Sequence, residues 1–409
     1  MPSSPEPVLH ADIEHDASLG LALCRLAMGL DNLYRRSRPA GGEAALAAEG
    51  LVPVDLWRGE PLELVDWSEA RAAIHELQSV TPSVADPVRR AYLEDTLVSL
   101  ETAAQWHAGE PLAFRTKAER LLGLSIEPLP LSTLTNWRGA VLDAIDAARG
   151  AGPSAAVLAW EDAQQLPPAE LGSAASTILE RARALAVERI GPLPSRPLMR
   201  LDLVHDVPYT AYCEYATNTI HLNADQSYTR VRLELLLLHE AYPGHDFHLA
   251  WRERGVRVGQ QPLDSLLVIT NTPSSPLFEG IGDNGATFLD WSVPPHQRTL
   301  ARLRSAACVN ACLMLHEDNQ TAERVTEFLV DEACGQPGWA RTRVRFMQDA
   351  LRAPFVFSYF LGDEHVAAAS AAWTGPRSAF YACLYGQPHS PRSLRLAVQL
   401  AEQQRSSTP

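Results

Sequence analysis

Along most of the chain, apolar residues recur every three or four positions, the spacing of a single buried helix face. In AYLEDTLVSLETAAQW (91–106), Leu93, Leu97, Leu100 and Ala104 fall in this register. In SAASTILERARALAVERIGP (173–192), Ile178, Ala182, Leu185, Ala186 and Ile190 do the same, and Gly191-Pro192 supplies a helix stop. The period changes after the connector GPLPSRP (191–197). In LMRLDLVHDV (198–207), Met199, Leu201, Leu203 and Val207 alternate with Arg200, Asp202 and Asp206, which is a strand pattern. YTAYCEYA (209–216) and TIHLNA (219–224) read as two further short strands. The helix RVRLELLLLHE (230–240) follows, and its four successive leucines, Leu235 to Leu238, predict burial on nearly every side. The pattern predicts a mainly α (α+β) protein with a small antiparallel sheet beside that helix. Residues 1–190 read as a helical lobe without identifiable chemistry, and 191–409 as the lobe that carries the candidate site. His75 and His107, in the first lobe, suit surface or helix-end roles.

Composition narrows the function classes. The 409 residues are long enough for an ample core, with 46% hydrophobic and 21% charged residues. A formal net charge of -14 argues against a nucleic-acid partner. The stretch MPSSPEPVLHADIEHDASLG lacks the basic start and apolar run of a signal peptide, and no segment approaches the length of a membrane span. The six cysteines lack CxxC spacing; Cys308 and Cys312 share a helix face and read as buried free thiols. These features predict a cytoplasmic protein without a membrane partner.

The chemistry concentrates in HEAYPGHDFH (239–248). Two histidines four apart on a helix aim at one ion, but His239 and His245 are six apart. In a regular helix they would be rotated by about 240° and separated by about 9 Å along the axis. Pro243 cannot continue the hydrogen-bond ladder, and Gly244 adopts angles that other residues avoid. Together they can bulge the helix and bring His245 back to the His239 face. The plain alternative is a helix that ends at Tyr242 with its histidines merely near a turn. A zinc site also needs a third protein ligand and an open position. In LFEGIGDN (277–284), Glu279 can bind the ion while Asp283, four residues on, accepts the other N–H of a ligand histidine. A solvated acidic pair is the alternative there.

HEAYPGH, VITNTP (268–273) and FEGIGD (278–283) together resemble the bacterial domain-of-unknown-function family eight-eight-five, which is similar to zinc peptidases of the gluzincin kind. YTAYCEYATNTIHLNAD (209–225) resembles the sheet ahead of the family's HE helix. NACLMLHED (310–318), FVFSYFLG (355–362) and FYACLYGQPHSPRSL (380–394) resemble its later motifs in the same order. The resemblance covers about 195–400. Many members read HEGYPGHH and EGLAD, where this chain has Asp246 and Gly282; the chain is also shorter than exported lipoprotein members and lacks their leader.

The resemblance implies a metallopeptidase-like fold and one Zn²⁺ per chain, or another divalent transition metal, held by His239, His245 and Glu279. It implies Glu240 as general base and Asp283 as the group that orients a ligand histidine. Tyr359 and His316 are candidates to donate to an oxyanion; a core tyrosine and a buried, hydrogen-bonded histidine are the alternatives. Tyr242, His248, His221 and Arg345 are possible substrate contacts. His221, on what reads as an edge strand, can line the cleft, while Arg343 and Arg345 can hold a substrate carboxylate or belong to a solvated helix face. The expected function is zinc-dependent hydrolysis of a peptide or other amide bond. The alternatives are a biosynthetic enzyme acting on a small amide-containing metabolite, and a non-catalytic protein with a relic metal site. A GxSxG elbow or a Cys-His nucleophile, which would mark another hydrolase class, is absent from the sequence.

Overall fold

The helical periodicity is realised as helices in a computed structural model of the chain, which describes residues 7–37, 50–146, 152–194 and 196–406. Residues 1–6, from the N-terminal stretch discussed above, and Ser195 of the connector lie outside the described residues. The protein is mainly α with a small sheet, as the pattern predicts. No helix among the described residues is long and apolar enough to cross a membrane.

The chain divides into two compact units, each assembled from separated segments. The first comprises Met1–Leu124, Leu249–Leu277 and Ala368–Pro409; the second comprises Ser125–His248 and Phe278–Ala367. The division expected near residue 190 falls inside the second unit, because the helix Leu171–Arg189 packs against Arg230–Glu240. Local periodicity identifies both helices but carries no information about which helices meet.

In the first unit, Asp86 caps the helix Pro87–His107 by accepting from the Val88 and Arg89 N–H groups. That helix packs against Trp67–Val80, Phe114–Leu122 and Pro391–Ser406, burying Leu93, Leu97, Leu100 and Ala104 as expected. Arg89 makes a buried two-pronged pair with Asp264, at 2.9 and 2.5 Å. Two short strands, β1 (Val54–Asp55) and β5 (Leu267–Val268), pair antiparallel.

In the second unit, the helix Pro295–His316 packs on Leu131–Ala144 and Ala322–Ala333, with Cys308 and Cys312 buried as free thiols. The three expected strands are β2 (Arg200–Val204), β3 (Ala211–Glu214) and β4 (Thr219–Asn223). They lie in the order β2-β4-β3. The β3–β4 pair is antiparallel, and β2 joins the other edge of β4 in parallel, since a down strand separates the two in sequence. His221 is therefore on the central strand and not on an edge, with its ring against Glu214 (3.0 Å) and Asp202 (3.4 Å). β3 holds the edge nearer the HE helix, which it contacts.

Candidate metal centre

Thr229 caps the helix Arg230–Glu240 by accepting from the Arg232 N–H. The helix stops at Glu240, where Ala241 leaves helical geometry (φ -118°, ψ -82°). A second helix begins at His245 and runs to Arg257. The chain between them is a tight turn in which the Gly244 N–H donates to the Leu238 carbonyl and the Phe247 N–H to the Ala241 carbonyl, both at 3.0 Å. The break is thus a full interruption, where the sequence suggested a bulge in one helix. Gly244 is what makes it possible: a Cβ at this position would lie 1.7 Å from the His239 carbonyl oxygen. The turn restores convergence of the histidines, whose ring centroids are 4.6 Å apart with planes inclined by 78°.

Glu279, on the helix Ser274–Asp283, stands between them. His239 Nε2 lies 3.1 Å from Glu279 Oε2, and His245 Nε2 lies 3.7 Å from Glu279 Oε1. All three side chains are buried. His239 Nδ1–H donates to Asp283 Oδ1 at 2.8 Å, which turns the Nε2 lone pair towards the carboxylate. With a neutral ring the Nε2 lone pair would face the carboxylate, an arrangement that a proton or a metal ion between them relieves. An ion with tetrahedral bonds of about 2.0–2.2 Å would set neighbouring ligand atoms about 3.3–3.5 Å apart, a separation bracketed by the 3.1 and 3.7 Å contacts. One ligand atom from each residue lies within 4.8 Å of the others. The donor set of two imidazoles and one carboxylate therefore fits a divalent transition metal of the zinc type.

The electrostatics set the two histidines apart. Burial, helped by the charge of His239, holds His245 well below the usual histidine range and so keeps it in the neutral form that binds metals. Burial acts to lower His239 too, but Asp283 and Glu279 outweigh it and raise the group well above its ordinary value. Burial also raises Glu279, against the opposing effect of His239. Glu240 is pushed up to about 7 by burial, with Glu279 and Asp283 adding to the rise; His239 and the Cys213 backbone N–H act to hold it down.

Several neighbours fix the geometry. Phe278 lies flat on His245, with ring centroids 4.3 Å apart and planes inclined by 6°. Gly282 leaves room for the His239 ring, since a Cβ there would meet Nδ1 at 2.6 Å. Gly280 meets Gly362 backbone to backbone, and Asn284 donates to Asp363 Oδ1 at 2.8 Å. These contacts seat the Glu279 helix on Phe357–Ala372, which carries Tyr359 one turn before Gly362. Burial raises the Tyr359 phenol, and Glu279 adds to the effect, so it stays protonated. Sequence reading missed Phe278, Gly244's carbonyl contact and the Cys213 N–H. Of these, only Phe278 had a visible signal, as the aromatic beside a candidate ligand.

Other expected residues go elsewhere. Tyr242 is 1% exposed, and its hydroxyl accepts from the Met199 N–H at 3.3 Å and bonds Asp246, so it does not face a substrate. Asp246 in turn pairs with Arg196 at 3.3 Å. His248, a possible substrate contact by sequence, is buried beside Phe278. His316 Nε2–H donates to the Met347 carbonyl at 2.8 Å, tying two helices together. Arg345 pairs with the exposed Asp206 at 2.9 Å. On the helix Pro337–Gln348, position 343 lies about 200° round from 345. Arg343 stacks near Tyr359, with Cζ 5.5 Å from the ring centroid.

No protein-family model matches the chain, and no curated protein matches it in sequence. A solved structure of a “putative lipoprotein” from Colwellia psychrerythraea is similar in fold, with a TM-score of 0.56 at 14% identity over 82% of this chain. The chain spans 66% of that protein's length. A “putative lipoprotein of unknown function” from Shewanella oneidensis gives a TM-score of 0.49 at 14% identity, covering 83% of this chain and 72% of the other.

Proposed function

We propose that the protein is a metal-dependent hydrolase of a peptide or other amide bond. The observation that carries this reading is the convergence of His239 and His245 on the two oxygens of Glu279, with the Glu240 carboxylate next to them in sequence and in electrostatic contact. A zinc ion held by those three residues would supply a Lewis acid for the scissile carbonyl and make a water molecule acidic near neutral pH.

The remaining steps belong to the chain. Glu240 takes a proton from the attacking water at its carboxylate and returns it to the leaving nitrogen. The Cys213 N–H, on β3, favours the ionised form of that carboxylate. Asp283 holds His239 in the tautomer whose Nε2 is free to bind. The Tyr359 phenol donates to the oxygen that gains charge as the carbonyl is attacked. We assign this donor role to Tyr359 over His316, whose Nε2–H is already given to Met347.

The test is a screen of zinc-loaded protein against dipeptides and small N-acyl amides, before and after chelation. The reading expects turnover of at least one amide class, loss on chelation and recovery when zinc is returned. Turnover indifferent to chelation, or none across both classes, would contradict it.

A further inference from the structure

Arg343 lies in the second unit near Arg232, which also has Arg304 and Glu161 as neighbours. It is half-buried, and none of the described carboxylates forms an ion pair with it. Arg304 has Glu161 as a two-pronged partner at 2.8 and 2.7 Å. Arg232 donates to neutral acceptors, the Ser227 carbonyl at 3.0 Å and Gln226 Oε1 at 2.7 Å. Burial and the neighbouring Arg304 push Arg232 down to about 10; Tyr228 and Glu161 oppose the shift, and Arg343 adds to it. Among the described carboxylates, Glu161 is the one that forms an ion pair with any of these three guanidiniums. Arg343 lies over Tyr359, Cζ 5.5 Å from the ring centroid, and Tyr359 is on the helix whose Gly362 packs against Gly280, next to Glu279.

A half-buried guanidinium with no carboxylate partner keeps its donors available to a ligand that carries one. With Tyr359 beside it, Arg343 can still offer a pair of parallel N–H donors, the geometry that fits a planar carboxylate. We propose that Arg343 binds a carboxylate of the substrate and thereby sets an adjacent amide over His239, His245 and Glu279. The substrate class is then an N-acyl amino acid or a short peptide cleaved next to its free C-terminal carboxylate. This rests on the hydrolase reading for the identity of the scissile bond, but binding of the carboxylate does not depend on turnover.

The test uses two probes that differ only in that group, N-acetyl-alanyl-alanine and its C-terminal carboxamide. They are titrated calorimetrically into zinc-loaded Glu240→Gln protein, so that neither is consumed. The carboxylate form should bind about 10- to 100-fold more tightly, as expected for a charge-assisted pair. Adding Arg343→Gln should reduce the preference to about twofold or less, with carboxamide binding and zinc content unchanged. Arg343→Lys keeps the charge but not the two-pronged geometry, so it should keep only part of the preference; it also decides the matter should the glutamine variant fail to fold. Equal binding of the two probes, binding of neither, or a preference that survives both substitutions would overturn the assignment. If the preference is present but no amide is cleaved by wild type, the anion site stands and the hydrolase reading fails.

Discussion

His239 gives its Nδ1–H to Asp283 at 2.8 Å, leaving Nε2 to face Glu279. The carboxylate thus selects the tautomer and the ring orientation that a metal needs. Asp283→Asn should lower zinc affinity by about 10- to 100-fold, the usual effect of losing such a partner. Competition against a chromophoric chelator measures this, and an unchanged affinity would remove Asp283 from the account.

The turn between the two site helices depends on Gly244. A methyl group there meets the His239 carbonyl oxygen, which is backbone and has little freedom to retreat. Gly244→Ala should destabilise the fold by about 3 kcal/mol or more. Gly139, inside the helix Leu131–Ala144, has open space around its missing Cβ. Gly139→Ala should instead be neutral or stabilising by up to about 1 kcal/mol. Denaturant titration of both variants checks the contrast, and similar losses in both would contradict the role given to the turn.

In the first unit, His389 is buried between the Cys383 carbonyl (3.0 Å) and Ser393 Oγ (3.2 Å). Burial holds its pKa down to about 4, with Arg252 adding to the effect against the Cys383 bond and Asp86. Above pH 6.5 the group is neutral in both folded and unfolded chains. Between pH 6.5 and 4 the unfolded chain binds a proton that the folded chain does not, so stability falls as the pH drops. His389→Gln should remove a pH-dependent loss on the order of 2–3 kcal/mol over that range. Parallel unfolding profiles of wild type and variant at pH 7 and pH 4.5 would contradict this.

The helices and the residues that converge at the candidate centre were legible in the sequence because both are marked locally. Leu93, Leu97 and Leu100 mark a helix face by spacing alone, and His239, His245, Glu279 and Asp283 lie in two short motifs. What depended on distant packing was not legible. The alternation around His221 marks a strand but not its place in the sheet, and that residue proved central. Tyr242 and His248 lie near the candidate ligands in sequence, yet one bonds the Met199 N–H and the other packs beside Phe278, contacts that local sequence does not reveal. Arg343 and Arg345 occupy opposite sides of one helix, and only the tertiary fold decides which side meets Tyr359. The boundary expected at residue 190 fails to mark a packing division for the same reason.

In the proposed function, His239, His245 and Glu279 hold a metal while Glu240 works as the base. The most direct test is zinc bound per chain, measured by elemental analysis on wild type, Glu240→Gln and Glu279→Gln, alongside turnover of whichever amide the screen identifies. The account predicts about one zinc for wild type and for Glu240→Gln. It also predicts a loss of turnover of at least 10²- to 10⁴-fold in Glu240→Gln, the usual worth of a general base, and clearly reduced zinc in Glu279→Gln. Zinc lost from Glu240→Gln but kept by Glu279→Gln would mean that the base and the ligand are reversed, and no zinc in the wild type would contradict the account at its root.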